Sequence, residues 1–214
     1  MKINSSEQLN KTSGNESPFM AVDAGDTTVR IVGDIHAVKE HNITINGKPR
    51  FIACPTEQAR MEIAAGVRQD QDVPPCPLCE LGYPVKTTYL AMAVEREREE
   101  YNKKGQLIKL GGDAKILKKG QSVFGPIQAL IDDANWGPGG DYDVKITATG
   151  EGLERRYSLI GVPANKSLPL TANELRSLED LKEKVSLEKM TTPLEYAKIS
   201  EEIGDFPVYV PKQK

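Results

Sequence analysis

The sequence predicts a mainly β, α+β protein, and three observations carry that expectation. Short β-prone runs recur from Thr27 onward, and the tight-turn dipeptide Asn46-Gly47 joins two of them. One segment with helix-like apolar spacing then falls between the third run and the last two. At 214 residues, 38% hydrophobic and 28% charged, the chain has the balance of one soluble domain with appended segments.

Residues 1–25 are rich in Ser, Asn, Thr and Gly without periodicity, which reads as a flexible arm. HNITINGKPRFIAC is the clearest local signal, two strands closed at Asn46-Gly47. Residues 55–75 read as an insertion, with a short helix over QARMEIAAGVRQ and a polar, Pro-containing exit. TTYLAMAVERERE predicts a long strand, turned back by KKGQ at 103–106 into QLIKLGG. In SVFGPIQALIDDA, Val123, Ile127, Leu130 and Ile131 have helical spacing, and Gly125-Pro126 predicts that the regular helix begins there. DYDVKITAT and ERRYSLIGV are two more strands joined by GEG. Three strands, a helix and two strands are compatible with a five-stranded OB-type barrel, and other small α+β folds share that order. After Pro169, Thr171 and Glu174 make a capping-box pattern, and Leu175, Leu178, Leu181 and Val185 make one apolar face. PLEYAKISEEIG predicts a second, shorter helix.

No apolar run is long enough to span a bilayer, and the N-terminus lacks the apolar stretch of a signal peptide. Three cysteines are an odd number, which suits a reduced, intracellular compartment better than a disulfide framework. The formal net charge of −3 does not announce a polyanion partner, but residues 101–120 carry six lysines against Asp113.

Two of the cysteines lie in PCPLCE. A thioredoxin-like pair belongs at a helix start in a βαβ context, whereas Pro74, Pro75 and Pro77 surround this one. A zinc deaminase needs His-x-Glu, and neither His36 nor His41 is followed by that pattern. The array His41-x12-Cys54-x21-Cys76-x2-Cys79 instead supplies three thiolates and one imidazole, a closed set for one structural Zn2+. His36 competes for the fourth position; His41 is preferred because its strand pairs back toward Cys54.

Set inside this strand order, HNITINGKPRFIACP, PPCPLCELG and DYDVKITATGEGLERRYSLIGVP resemble segments of the zinc-containing single-stranded-DNA-binding proteins of tailed bacteriophages, the family of the T-even helix-destabilising protein. The resemblance covers roughly residues 28–165, and its histidine-to-cysteine spacing strengthens the preference for His41. It implies an OB-fold core over 26–165 with a zinc subdomain at about 41–82, and a C-terminal helical segment and tail at 166–214. It also implies sequence-independent binding of single-stranded DNA in phage replication, recombination and repair, without catalysis. The protein would then work in the cytoplasm of the infected bacterial host, and replication or recombination proteins could dock on the C-terminal segment. Such a groove tracks phosphates with cations and stacks bases on aromatic rings. Lys48, Arg50, Lys86, Lys103, Lys104, Lys109, Arg155 and Arg156 are the candidate phosphate contacts; Phe51, Tyr89 and Trp136 are the stacking candidates, with Tyr142 and Tyr157 also on strands.

Two departures stand out. The insertion between Cys54 and Cys76 is longer than in the T-even protein, and the basic arm and strongly acidic tail of that relative are not evident. A zinc-stapled interaction protein without DNA binding shares the same cysteines. A nucleic-acid enzyme would have to use Asp132-Asp133 or Asp141 and Asp143, which read more naturally as caps and ion-pair partners.

Overall fold

The structure, a computed structural model, describes residues 17–101, 106–137 and 139–210. Two compact units divide the chain: Met1–His36 with Tyr89–Met190, and Ala37–Thr88 with Thr191–Lys214. The strands are β1 (Gly25–Ile45), β2 (Lys48–Ala53), β3 (Val85–Glu95), β4 (Arg98–Tyr101), β5 (Leu107–Leu110), β6 (Ala114–Lys119), β7 (Asp143–Thr149) and β8 (Arg156–Val162). The helices are α1 (Pro55–Ala64), α2 (Pro77–Glu80), α3 (Gln121–Asp132), α4 (Ala172–Lys184), α5 (Leu187–Thr191) and α6 (Tyr196–Ile203). Among the described residues no helix is long and apolar enough to cross a membrane.

In the first unit the strands run in the order β6-β3-β1-β7-β8, with antiparallel registers such as Val29↔Val144, Ile146↔Leu159 and Ala93↔Lys115. Period-2 alternation separates the two faces. Val29, Ile31, Ala91, Ala93, Leu117 and Ile146 point inward and meet Val123, Phe124 and Ile127 of α3. Val32, Met92, Val94 and Ala114 have the opposite parity and meet Leu178 and Leu181 of α4. The protein is therefore mainly β with packed helices, as expected.

The barrel does not close. Among the described residues β6 and β8 end the sheet without pairing, and the reason is local. Residues 18–20 occupy the β6 edge: Met20 N donates to Ile116 O and Ile116 N to Pro18 O, both at 2.8 Å. Met20 and Val22 are buried in the core, and Arg155 Nη1 donates to Val22 O at 3.1 Å. This segment fills the seam, so the reading of 1–25 as a flexible arm fails for residues 18–22. Residues 1–16 lie outside the described ones. Across the seam Lys119 Nζ of β6 reaches the Tyr157 hydroxyl of β8 at 3.2 Å.

α3 starts at Gln121, earlier than Gly125-Pro126 suggests, and carries Pro126 inside it. The proline removes one intrahelical N–H donor, while burial of Val123 and Phe124 ahead of it favours the longer helix. α4 has the expected capping box: Thr171 Oγ1 accepts from Glu174 N at 3.2 Å and Glu174 Oε2 from Thr171 N at 2.8 Å. Leu175 departs from the expected apolar face and is exposed, because Glu174 takes the buried place beside it. Glu174 accepts Glu97 N at 2.9 Å and pairs with Arg96 at 3.3 Å. Arg30 binds Asp143 at 2.8 Å and, like Arg96, donates to Leu168 O. This buried ionic chain anchors the segment leading into α4.

The second unit holds the β1–β2 hairpin, α1, α2 and α6. Asn46 and Gly47 have φ of 51° and 74°, the left-handed pair of a two-residue turn, with Ile45↔Lys48 closing it. Of the C-terminal helices, α4 belongs to the first unit and α6 to the second.

Candidate metal centre

His41 lies on β1 opposite Ile52 of β2, and the ladder continues through Cys54 N to Lys39 O at 2.7 Å. That pairing brings Cys54 back beside His41. Cys54 then caps α1: its Sγ accepts from Glu57 N at 3.4 Å, and Pro55 takes the first-turn position that needs no N–H. The helix accordingly begins at Pro55, ahead of the expected QARMEIAAGVRQ. Cys79 sits on the single turn of α2 and Cys76 is its N-cap, with Glu80 N donating to Cys76 O at 3.1 Å. The turn brings both sulfurs to one side.

His41 Nε2 stands 3.4 Å from Cys76 Sγ and 3.6 Å from Cys79 Sγ, and Cys54 Sγ stands 3.4 Å from Cys79 Sγ. All four ligand atoms lie within 4.8 Å of one another. A tetrahedral ion with bonds of about 2.3 Å to sulfur and about 2.0 Å to nitrogen needs ligand atoms roughly 3.5–3.8 Å apart. The sulfurs are too far apart for a disulfide, whose S–S bond is about 2.05 Å, and all three cysteines are free. His41, Cys54 and Cys76 are buried and Cys79 is half-buried. His36 is not a member of the group.

Cys76 and Cys79 resist ionisation in this setting. The Cys76 thiol is pushed up to about 12, first by its hydrogen bond with Cys54 and then by burial. Burial likewise pushes Cys79 up, with the neighbouring Cys76 adding to it. A divalent cation among the sulfurs supplies the positive charge that stabilises their thiolates, so metal uptake releases protons. His41 Nδ1 is buried and has no hydrogen-bond partner among the described residues. The ring is therefore oriented by packing, with Nε2 turned to the sulfurs. Four protein ligands would complete a tetrahedron, which suits a structural metal.

The candidate nucleic-acid contacts divide between the units. In the second, Lys48 and Lys86 are exposed, Arg50 is half-buried and Phe51 is 52% exposed. Strand alternation on β2 turns Lys48 and Arg50 to the face of Ile52 and Phe51 to the opposite one, so these three do not line one surface. In the first unit Tyr89 stacks on Phe124 at 5.7 Å, and Trp136 packs edge-on against Tyr142 at 5.3 Å. Arg155 is half-buried on Val22, Arg156 is exposed at the start of β8, and Lys109 lies on β5. Lys103 and Lys104 lie outside the described residues. Three of the suggestive carboxylates are partnered: Asp132 accepts from Gln128 and Asp133 from Asn135 locally, and Asp143 accepts from Arg30 at long range.

One feature escaped sequence reasoning. Residues 206–210 fold back on the loop after α2, where Tyr209 N donates to Leu81 O at 2.9 Å. The run FPVYVP was readable as apolar, but no local pattern ties it to a loop more than 120 residues earlier. No protein-family model matches this chain, and no curated protein matches it either.

Proposed function

We propose that this protein binds single-stranded DNA independently of sequence and that one structural Zn2+ staples its second unit. The observation that carries the reading is the combination of a closed His/Cys3 cluster with the strand order around it. The cluster's four residues come from the end of β1 (His41) and from the chain between β1 and β3 (Cys54, Cys76 and Cys79), the first two long strands of a sheet whose main path runs β6-β3-β1-β7-β8. Numbered within that sheet alone, the order is 3-2-1-4-5, with α3 between the third and fourth strands, as in an OB barrel, a fold that is often partly open. Three sulfurs and one nitrogen favour zinc over harder ions.

On this reading the metal holds a loop and no residue performs turnover. α4 covers the outer face of β3 and β6, so binding in the first unit falls to other surfaces, including exposed Arg156. The inward packing of Tyr89 and Trp136 favours a second reading, a zinc-stapled interaction protein of a virus without DNA binding. Titration of fluorescent oligo-dT and the matching duplex at two salt concentrations, with zinc quantified on the same sample, separates the two. The single strand is expected to bind more tightly than the duplex, with log K falling against log salt by about 0.7 per phosphate neutralised. No binding at low salt removes the DNA reading and leaves the second.

A further inference from the structure

Tyr83, Phe206 and Tyr209 form an aromatic cluster on the second unit that the metal centre does not use. The Tyr83 ring lies 5.2 Å from that of Phe206 and 5.1 Å from that of Tyr209, centroid to centroid. Two hydrogen bonds pin the tail: Tyr209 N donates to Leu81 O at 2.9 Å, and the Tyr83 hydroxyl donates to Pro207 O at 3.1 Å. Leu81 is two residues past the ligand Cys79, so the mount for the tail is the metal loop itself.

A tail kept only for packing would bury its rings. Tyr209 instead remains 36% exposed, between Val208 at 67% and Val210 at 79%. A braced aromatic surface has already met the ordering cost that a loose side chain would face on binding. Charge narrows the ligand. Lys86 is exposed three residues beyond Tyr83, and the chain continues past Val210 as Pro-Lys-Gln-Lys. The acids nearest the rings in sequence are Glu80, which accepts from the Tyr196 hydroxyl at 2.7 Å, and exposed Asp205 beside Phe206. A partly exposed, braced aromatic ring with exposed Lys86 on the strand that follows Tyr83 matches a base on a phosphate backbone.

We propose that Tyr209, braced by Tyr83 and Phe206, is a base-stacking platform for single-stranded nucleic acid, and that the metal centre holds it in place. The inference rests on the single-strand reading above. The test compares the full chain with Tyr209→Ala and Tyr209→Phe, using oligo-dT and an abasic oligomer with the same number of phosphates. Tyr209→Ala is expected to weaken oligo-dT binding by about 5- to 150-fold, the loss of one stacked base. Abasic affinity and the salt slope should stay within about twofold, zinc content should be unchanged, and Tyr209→Phe should restore binding. If the unaltered protein binds oligo-dT and Tyr209→Ala binds it equally well, the platform is refuted and the single-strand reading survives. Equal losses on both oligomers also refute it, since they report a charge or folding effect. If the unaltered protein binds neither oligomer, both readings fall together.

Discussion

Single residues set the metal centre. His41 and Cys54 meet because β1 and β2 pair in a register fixed by a two-residue turn, and Cys76 and Cys79 meet because one helical turn separates them. The four residues of the His/Cys3 cluster that could hold a metal were legible from spacing, residue type and the expected hairpin pairing, because both halves are local devices. Cys76→Ser is expected to lose the bound metal and lower the melting temperature, measured by metal analysis and thermal unfolding. His41→Cys should keep the metal, since four thiolates also close a tetrahedron; equal loss in both variants would show that the imidazole matters beyond ligation. Gly161 illustrates a constraint that no local pattern announces. A Cβ there would stand 2.6 Å from the Trp136 ring, so Gly161→Ala should displace the only tryptophan and change its fluorescence, at a cost of about 1–3 kcal/mol.

Elements were legible where their signals were local. The hairpin and the α4 capping box stand where the sequence puts them, and α3 differs only in where it begins. What the sequence could not supply was pairing at a distance. Arg30 meets Asp143 across 113 residues, and Pro18-Phe19-Met20 lie along β6 although the 1–25 stretch as a whole reads as a polar arm. Neither contact leaves a periodic trace. The same long-range chemistry decides why Leu175 is exposed: Glu174, next to it, is wholly buried against Arg96 and Glu97 N. Glu174→Ala removes a buried carboxylate that pairs with Arg96 and accepts from Glu97 N, so it should destabilise the protein by about 3 kcal/mol in chemical denaturation, Arg96 keeping Asp143 and the Leu168 carbonyl. Thr171→Ala loses only the cap and should cost about 1 kcal/mol. Similar values for both would mean that the ion pair contributes little beyond the cap.

At the scale of the whole molecule the two units are stabilised differently. The first buries a continuous cluster of strand and helix residues and draws on no metal ligand. The second has a small core in which Cys54 and Cys76 lie among Ile43, Ile52, Leu78, Ile199 and Ile203. Small cores commonly depend on a staple, and in this one the thiols lie inside the apolar cluster. Metal removal replaces thiolate–metal bonds by three crowded thiols, so its cost should fall on the second unit. Hydrogen exchange with and without a strong chelator tests this. Exchange is expected to accelerate over residues 37–88 and 191–210 and to stay slow in β7, β8 and α3. The tail amide of Tyr209 should respond with the metal loop, because its acceptor is Leu81 O. Uniform acceleration through both units would mean that the metal stabilises the chain as one cooperative block, and no acceleration anywhere would deny the centre a structural role.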